Sequence, residues 1–420
     1  MKHTLVTCIV IAGLSSLCSA GNWPNWRGPN GNGTAEAGQY PTTFSAEAGV
    51  LWKARLPGKG GSTPIVWEDN IIVTCGVGKG KSGQDGVLCF DFKGKRRWQT
   101  RLGPQRPSSR HPNGSGSAPS PITDGKHIVA YFKSGTVAGL DFRGKVLWKR
   151  NLQKEYGKDT LWWDLGTSPV LADGKAVIAV MHAGPSYVVA IDIATGKTAW
   201  KVDRTFRRPR ESDQAYTTPI VVKSGGKTLI YVWGADHVTA HDARTGKVVW
   251  ICGGFNPSNK TMWRVIASHA ISDGVVVVPY GRGKYLAAAK LSGRGDVTRT
   301  NHLWLKRFGS DVPTPIAADG KVYHLTDKGK VTCLDIKTGR EFWSANLPRG
   351  SGKFYSSPTL AGDLLYMIRE TGAAYVCRVT SGGLKVLCRP DMKDRIVASP
   401  VAVNNRLLIR GNTYLVCIGK

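Results

Sequence analysis

Short apolar runs and turns alternate along almost the whole chain, and one arrangement of them recurs. In residues 188–200 (VVAIDIATGKTAW), an apolar run is followed by Asp192, a Thr-Gly turn and a second run that ends on tryptophan. β-Branched and apolar residues favour a half-buried strand, and glycine accepts the positive φ that a hairpin turn needs. The stretch therefore predicts two antiparallel strands joined by a tight turn.

This pattern repeats, and the repeat indicates the fold class. Each full copy carries Asp, then Gly-Lys or Gly-Arg, with Trp four residues after the Gly, and the further copies are residues 87–98, 137–148, 238–250 and 331–343. Weaker copies are LAAAKLSGRG, AYVCRVTSGG and the C-terminal YLVCIGK. A second signature, Ser/Thr-x-Pro or Ser-Pro before two apolar runs, precedes each copy, with His269 in place of proline in the fifth. Such self-similarity is typical of a stacked or circular repeat architecture.

Each unit contains four short strands at a period of roughly 40 to 55 residues, which is typical of a β-propeller blade. The count is eight, but the C-terminal unit has only three strands. Its missing outer strand is predicted at residues 50–56 (VLWKARL), where Trp52 matches the outer-strand tryptophan. We therefore expect an all-β, eight-bladed β-propeller of four-stranded antiparallel blades, closed by the N-terminal strand pairing into the last blade.

The chain divides into three parts on this interpretation. Residues 1–20 have a basic start, an apolar stretch and a small residue at Ala20, which predicts a secretory signal peptide cleaved before Gly21. Leu17 is too large for the usual lipid-attachment box, which argues against an anchor at Cys18. Residues 21–49 form an extension and 50–420 the propeller. We expect a periplasmic or secreted monomer, since no other stretch is long enough to span a membrane.

Seven cysteines follow the signal segment, and four of them share one repeat position. Other blades carry Gly or Ala there, which indicates small buried side chains and not a disulfide framework. Two pairs, Cys75 with Cys89 and Cys377 with Cys388, remain possible across neighbouring strands. No Cys/His spacing typical of zinc is present, so no metal is expected on this ground.

The charge is strongly positive, because 58 Lys and Arg stand against 29 Asp and Glu, a formal net charge of +29. One interpretation is a solvated rim that keeps the protein soluble. The other is an anion-binding face, because the loops entering the blades and the turns between second and third strands share one face of a meander. Those turns contribute Lys79, Lys81, Lys133, Arg282, Lys284, Lys328 and Arg369. Export argues against a specific nucleic-acid partner.

Ten residues of the loops and the N-terminal extension are candidates for contact with a ligand or partner. They combine basic and aromatic side chains: Trp26, Arg27, Arg110, His111, Arg207, Arg208, Arg210, Trp263, Arg264 and Lys353. Trp26 and Arg27 could either latch the N-terminus or line the rim. His111, and His269 on an inner strand, are equally explained as structural, hydrogen-bonded histidines.

The tandem Ala-x-Asp-x-x-Thr-Gly-Lys-x-x-Trp units resemble the pyrroloquinoline quinone (PQQ) repeat. The opening NWPNWRGPNGNG (residues 22–33) resembles the start of exported bacterial PQQ-like repeat proteins, and the size and closure are similar to those of the BamB family of outer-membrane-assembly propellers. The resemblance implies a non-catalytic scaffold without a cofactor. Its partner would be an envelope protein or an anionic polysaccharide or lipid surface.

The alternative that the resemblance implies is a PQQ- and calcium-dependent alcohol dehydrogenase. Trp162 and Trp163 could then floor the planar cofactor, and Asp164 could act as the base. The adjacent Cys-Cys pair typical of such dehydrogenases is absent. The structural interpretation of the same three residues is a loop anchored by aromatic packing. Repeat motifs specify the fold far more strongly than the activity.

Overall fold

The computed structural model describes residues 21–78, 80–107 and 111–419. Almost all regular structure there is β, in eight sheets that are each built on four antiparallel strands; one sheet carries a fifth, parallel strand. First strands of neighbouring blades contact one another around a central axis. The predicted eight-bladed β-propeller is confirmed. The signal peptide with Cys18, as well as Lys79 and Arg110, lies outside the described residues.

The strands follow the chain order from the inner to the outer edge of each blade. Blade 1 consists of β2 (Ile65–Trp67), β3 (Asn70–Val77), β4 (Gln84–Phe90) and β5 (Arg96–Pro104), and blade 2 of β6 (Ile122–Thr123), β7 (Ile128–Tyr131), β8 (Thr136–Leu140) and β9 (Val146–Asn151). Blade 3 consists of β10 (Val170–Ala172), β11 (Lys175–Val180), β12 (Tyr187–Asp192) and β13 (Thr198–Asp203). Blade 4 consists of β14 (Ile220–Ser224), β15 (Lys227–Gly234), β16 (His237–Asp242) and β17 (Val248–Cys252). Blades 5 to 7 consist of β18 (Ala270–Ser272), β19 (Val275–Tyr280), β20 (Tyr285–Lys290), β22 (His302–Lys306); β23 (Ile316–Ala318), β24 (Lys321–Leu325), β25 (Lys330–Asp335), β26 (Glu341–Asn346); and β27 (Thr359–Ala361), β28 (Leu364–Ile368), β29 (Ala374–Thr380), β30 (Gly383–Cys388).

Blade 8 closes the ring with strands from both ends of the chain. β31 (Val401–Val403), β32 (Arg406–Arg410) and β33 (Tyr414–Ile418) are joined by β1 (Val50–Arg55) as the outer strand. β1 runs antiparallel to β33, with Trp52 opposite Cys417. The predicted closure is therefore confirmed, and β33 is no longer an open edge.

Four short elements interrupt the meander, and the repeat did not predict them. One is a short 3-10 helix (Gly80–Ser82) between β3 and β4. α1 (Leu152–Tyr156) follows β9, while β21 (Gly295–Asp296) and α2 (Thr298–Asn301) lie in the insertion of blade 5. β21 pairs in parallel with β17 and makes blade 4 five-stranded. The insertion therefore covers part of the outer edge of blade 4.

Outer-strand tryptophans tie five of the blades to the next blade around the ring. Five of them donate the indole N–H to the carbonyl that follows the turn Asp of the next blade, at 2.8–3.0 Å: Trp52 to Phe92, Trp98 to Phe142, Trp148 to Ile193, Trp200 to Ala243 and Trp304 to Ile336. The turn glycine packs on the same ring. At Gly196 (φ +72°) a Cβ would lie 2.5 Å from Trp148, so the Gly is required by both backbone and space.

The apolar core lies between the blades. One cluster combines Val129 and Tyr131 of blade 2 with Ile178 and Val189 of blade 3, and others join the remaining neighbours. Because each sheet buries both faces against neighbours, its inner strands are apolar almost throughout.

The cysteines after the signal segment are free thiols, six of them buried and Cys388 half-buried. Neither open disulfide pairing is formed. Cys75 lies opposite Gly86, whereas Cys89 lies opposite Ile72, and Cys377 lies opposite Val386. The first pair is therefore out of register. Cys388 lies opposite Val376, next to Cys377, but the two cysteines pack in different inter-blade clusters and so point to opposite faces of the sheet. Neither arrangement suits a cross-strand bridge.

A closed ring of hydrogen bonds surrounds the axis just before the innermost strands. The main-chain N–H of one blade donates to a Ser or Thr hydroxyl of the next, at 2.9–3.2 Å, and the eighth blade returns to the first. We call this the hydroxyl ring. Its members are Thr63, Ser120, Ser168, Thr218, Ser268, Thr314, Ser357 and Ser399.

The N-terminal extension crosses the axis on the inner strands. Trp23 forms a β-bridge with Val66 of blade 1, and Thr34 forms one with Leu360 of blade 7. Tyr40 and Phe44 then pack in the cluster between blades 7 and 8, from which the chain continues into β1. The extension therefore spans the ring from one side to the other before it closes it.

Candidate functional site

A cavity of about 390 Å³ opens at the axis on the face that carries the loops between blades. We call this cavity the cup and this face the loop face; the opposite face, with the Gly-Lys turns, is the turn face. The residue two positions before each hydroxyl-ring member lines the cup, because side chains alternate in extended backbone. These eight residues are Gly61, Ala118, Gly166, Tyr216, Ile266, Val312, Tyr355 and Val397.

Two neighbouring residues of the N-terminal extension have different roles at the axis: Trp26 lines the cavities, and Arg27 holds the extension against the inner strands. Trp26 lines both the cup and a second cavity toward the turn face, and therefore lies between the two. Arg27 is 4 % exposed, and its guanidinium donates to the carbonyls of Pro358 (2.8 Å), Asn32 (3.1 Å) and Pro315 (3.4 Å). Burial lowers the pKa of Arg27 to about 9. The placement favours a latch for Arg27 and a lining role for Trp26.

Arg264 is the most buried cation of the cup. Only 6 % of it is exposed, its guanidinium lies 5.4 Å above the ring of Trp163, and Nη2 lies 3.5 Å from a carboxylate oxygen of Asp311. The Nε and Nη1 atoms have no hydrogen-bond partner among the described residues. The structure thus brings together Arg264 and Trp163, which sequence reasoning had placed in separate groups.

Asp164 lies in the cup wall but is held by the main chain. Its carboxylate accepts hydrogen bonds from the amides of Ser115 (2.8 Å), Gly116 (3.3 Å) and Leu165 (2.8 Å). Burial raises its pKa, and these amides partly oppose that shift. Trp163 donates its indole N–H to Glu211, at 3.2 Å. Asp164 therefore fixes the loop of residues 115–116 against blade 3.

His111 lies in the loop between blades 1 and 2, and it contacts blade 7 across the cup. Its Nε2 lies 3.2 Å from the hydroxyl of Tyr355, and Asn113 donates to Glu370 at 3.1 Å. Burial is the largest cause that lowers the pKa of His111. The neutral ring is thus favoured at neutral pH, where it can bridge Tyr355 and the edge of Trp163.

The remaining predicted residues lie on the loop face outside the cup, except Lys353, which is exposed at its rim. Arg207 and Arg210 are exposed, and Arg210 lies 5.7 Å from the ring centroid of Trp162. Arg208 is engaged, because its Nε donates to Asp236 at 2.7 Å. Trp263 packs beside Tyr280 and Tyr285. The candidates therefore form two groups, at the cup and on the outer loop face.

The expected positive field of the loop face is weaker than the sequence suggests, which corrects the list of contributing turn cations. Lys133 is 3 % exposed and donates to Asp159 at 2.7 Å. Arg369 is also 3 % exposed and donates to the carbonyls of Gly352 and Lys328. Both side chains serve the protein interior, because buried cations require paired acceptors.

Sequence reasoning missed several residues of the cup. Tyr355 and Asp311 were not among the candidates. Arg282, which was counted only among the turn cations of the loop face, also lines the cup and lies 4.0 Å from Glu211. A signal did exist for the hydroxyl ring. In all eight units Ser or Thr directly precedes the proline position, so the residue that keeps its N–H also carries the hydroxyl, while proline has no N–H to offer.

The cup does not fit a calcium ion as its described side chains stand. No group of three or more His, Cys, Asp or Glu side chains that could hold a metal occurs within residues 21–78, 80–107 and 111–419. The two carboxylates of the cup wall are engaged: Asp164 accepts from three amides and Asp311 faces Arg264. Calcium prefers six to eight oxygen ligands, which this set does not bring together.

Comparison with known proteins decides the family. The family model described as outer membrane protein assembly factor BamB matches residues 37–251, 187–382 and 236–419, which together cover most of the chain. The chain belongs to the BamB family. It is 24 % identical over 305 residues to BamB of Salmonella typhimurium, which covers 69 % of this chain and 70 % of that protein.

The chain is also similar to two dehydrogenases. Subunit 1 of methanol dehydrogenase from Methylorubrum extorquens is 31 % identical over 150 residues, 33 % of this chain and 23 % of that subunit. The structure of quinohemoprotein alcohol dehydrogenase from Comamonas testosteroni gives a TM-score of 0.67 at 13 % identity, covering 95 % of this chain and 81 % of that one. The latter likeness shows the fold alone.

No helix in the described part of the chain is both long and apolar enough to cross a membrane.

Proposed function

We propose that this BamB-family chain is a non-catalytic binding or scaffold propeller of the bacterial cell envelope. The observation that carries the proposal is the family match across residues 37–419. The relative in Salmonella typhimurium is an outer membrane protein assembly factor, and a protein with the same architecture and a leader-like start would serve in the same compartment. We further propose a periplasmic location after cleavage near Ala20, without a lipid on Cys18.

The loop face is the proposed recruiting surface for an envelope protein. Arg207, Arg210 and Lys284 project there, are exposed, and make no ion pair within the described part of the molecule. Exposed arginines beside half-buried aromatics, as Arg210 beside Trp162, are typical of protein contact surfaces. The turn face also carries exposed cations, but these belong to the repeated Gly-Lys turns, which recur for a structural reason.

Site-specific cross-linking tests this proposal. A photo-reactive phenylalanine is placed at Arg207, Arg210 or Lys284, and at the matched turn-face positions Lys95, Lys145 or Lys197, in the cells that produce the protein. The proposal expects a discrete envelope-protein adduct from the loop-face positions and none from the turn-face positions. Adducts of equal yield from both faces would argue against a dedicated recruiting surface.

An anionic polymer or lipid surface is the other partner class that these cations suit. The triple change Arg207→Gln, Arg210→Gln and Lys284→Gln is compared with Lys95→Gln, Lys145→Gln and Lys197→Gln, which removes the same charge from the turn face. We expect the loop-face variant to lose about five- to tenfold affinity for phosphatidylglycerol vesicles, and the turn-face variant much less. Binding should weaken with salt, because the screening length is about 8 Å at physiological ionic strength. Equal losses would mean that the charge acts diffusely.

A PQQ-dependent dehydrogenase is the second candidate function. Likeness to methanol dehydrogenase subunit 1 over 150 residues favours it, as does the presence of Trp163 and Asp164 in the cup. Trp162 is less suited, since its indole N–H donates to Gln214 at 2.9 Å and its ring lies beside Arg210. Titration with PQQ and calcium, followed by dye-coupled alcohol oxidation, separates the candidates: reproducible calcium-dependent turnover would replace the scaffold proposal.

A further inference from the structure

The buried guanidinium of Arg264 has hydrogen-bonding capacity that the protein does not use. It is 6 % exposed, lines the cup, and has two nitrogens without a partner among the described residues. Its one acidic neighbour, Asp311, lies at 3.5 Å, a weak contact. An arginine offers five donors, and leaving buried donors unmade costs free energy. The arrangement is therefore suited to an acceptor brought in by a ligand.

The surroundings of Arg264 indicate a carboxylate as that acceptor. The guanidinium lies over the ring of Trp163, 5.4 Å from its centroid, which orients its donor plane. A planar guanidinium fork matches the two oxygens of a carboxylate in bidentate geometry. Arg282 and Lys353, at the same cavity, add two further positive charges.

The acidic residues of the wall limit how much negative charge the ligand can carry. Asp164 and Asp311 both line the cup, and Glu211 lies 4.0 Å from Arg282. These three carboxylates together offset the positive charges of Arg264, Arg282 and Lys353. A ligand with several negative groups would place at least one of them near a carboxylate, where like charges repel. The charge balance therefore favours a single carboxylate.

Aromatic and apolar side chains form much of the remaining wall, beside hydroxyls of the ring, and the cup is closed toward the turn face. Trp26, Trp163, Tyr216, Ile266 and Tyr355 line it. Trp26 separates it from the cavity beyond. A concave space of about 390 Å³ that opens on one face only has the size and shape of a small-molecule site, whereas protein partners require broad contact surfaces.

We propose that the cup binds a small molecule with one carboxylate on a flat apolar body. The carboxylate engages Arg264, and the body lies among Trp26, Trp163 and Tyr355. The inference does not depend on a protein partner or on catalysis, and it involves no metal. It would stand if cross-linking on the loop face failed, and loop-face recruitment would stand if the cup bound nothing.

The test is calorimetric titration of the full-length mature protein with a probe panel. The panel contains benzoate, 2-naphthoate and anthracene-2-carboxylate, each beside its neutral primary amide, and the trianion benzene-1,3,5-tricarboxylate. We expect at least one monocarboxylate to bind about tenfold more tightly than its amide and than the trianion, the gain of one charge-assisted hydrogen-bonded pair. If no monocarboxylate binds better than its amide, or if the trianion binds best, the proposal is overturned.

Variants locate the binding. Arg264→Gln should remove the preference for carboxylate over amide, and Arg264→Lys should restore it only in part, because lysine lacks the planar fork. Loss of Arg264 leaves Asp311 unpaired. Lys353→Gln therefore provides an independent reading, because Lys353 is exposed at the cup and makes no ion pair within the described part of the chain; the expected loss of affinity is about threefold. Arg244→Gln, an exposed turn-face arginine, is the matched control. A carboxylate preference that survives in folded Arg264→Gln, or that Arg244→Gln also removes, would contradict the assignment.

Discussion

Two sets of eight residues surround the axis, and they differ in how closely they follow the repeat. The hydroxyl ring takes Ser or Thr from every blade and closes on itself. The cup-lining set, two positions earlier in each blade, ranges from Gly61 and Ala118 to Tyr216 and Tyr355. Both sets lie in the extended segment that precedes the innermost strand of each blade. Where the repeat holds, the side chain builds the ring; where it varies, the side chain shapes the cavity.

A similar contrast separates the outer belt of tryptophans from the loop face. Each Trp–Gly contact of the belt uses the same two repeat positions, whatever the blade. The loops above the cup instead pair residues that occur once, as in Arg264 with Trp163. Repeat proteins distribute stability over nearest-neighbour interfaces, so substitutions at repeated positions should cost stability and substitutions at unique positions should not.

Removal of residues 50–56 should have the largest effect. Without β1, the edge of β33 is open and Trp52 no longer bonds Phe92 of blade 1. An uncovered edge pairs with other chains, so we expect loss of soluble monomer or a large fall in the unfolding temperature. Size-exclusion chromatography and thermal unfolding measure this. A truncated protein that stays monomeric and unfolds at the same temperature would show that closure does not stabilise the ring.

Substitution of a belt glycine should come next. Gly196→Ala places a Cβ 2.5 Å from Trp148 at a positive φ, whereas Gly174→Ala, at nearly the same φ (+73°), meets nothing within 4 Å. We expect a loss of about 3 kcal/mol in unfolding free energy for the former and about 1 kcal/mol for the latter. Denaturant unfolding at equilibrium compares them. Equal losses would mean that backbone strain alone explains the glycine at position 196, and that the close contact with Trp148 does not contribute.

The two axial sets can be compared within one blade. Ser357→Ala removes the acceptor of the Thr314 N–H, a bond of 3.0 Å, and should cost about 1–2 kcal/mol because a buried amide loses its partner. Ser357→Thr should restore most of that loss, since Thr occupies this position in three blades. Tyr355→Phe, two residues away in the cup, removes only a part-buried bond with His111 and should cost less, about 0.5 kcal/mol. If the cup variant destabilised as much as the ring variant, the distinction between the sets would fail.

The smallest expected effect concerns His269, which stands where the other seven blades have proline. Burial, with a lesser contribution from Arg204, lowers its pKa to about 3, whereas an unfolded His titrates near about 6.5. Below about pH 6.5 the imidazole of His269 is protonated in the unfolded chain but stays neutral in the folded protein. The free energy of unfolding therefore falls as the pH drops below about 6.5. Between pH 7 and 6 the loss from this residue is about 0.7 kcal/mol.

His269→Pro installs the residue of the other seven blades and should remove that share of the pH dependence. His241 and His324, whose pKa values burial lowers to about 4 and about 3, keep their own shares. Denaturant unfolding at pH 7 and pH 6 measures the slope for both proteins. An unchanged slope in the variant would mean that His269 is not the neutral, buried group described.

The sequence by itself determined the architecture. The Asp, Gly and Trp of each unit recur because every blade makes the same contact with its neighbour, so one spacing repeated along the chain predicts strands, blade number and the donated strand β1. The positions of Trp163 and Asp164 before blade 3 and of Arg264 before blade 5 followed from the same count. Their assignment to one loop face required only the alternation of a meander.

Tertiary structure alone decided the site. The contact of His111 with Tyr355 joins residues 244 positions apart, and the repeat carries no information about which loop reaches which blade. The passage of Trp26 and Arg27 across the axis also has no periodic signal, because the extension makes each of its contacts once. Whether a cation is free, as Arg207 is, or buried against an acceptor, as Lys133 is, depends on neighbours from distant loops. Local pattern fixes a repeated contact, while a contact made once is fixed only when the ring brings its partners together.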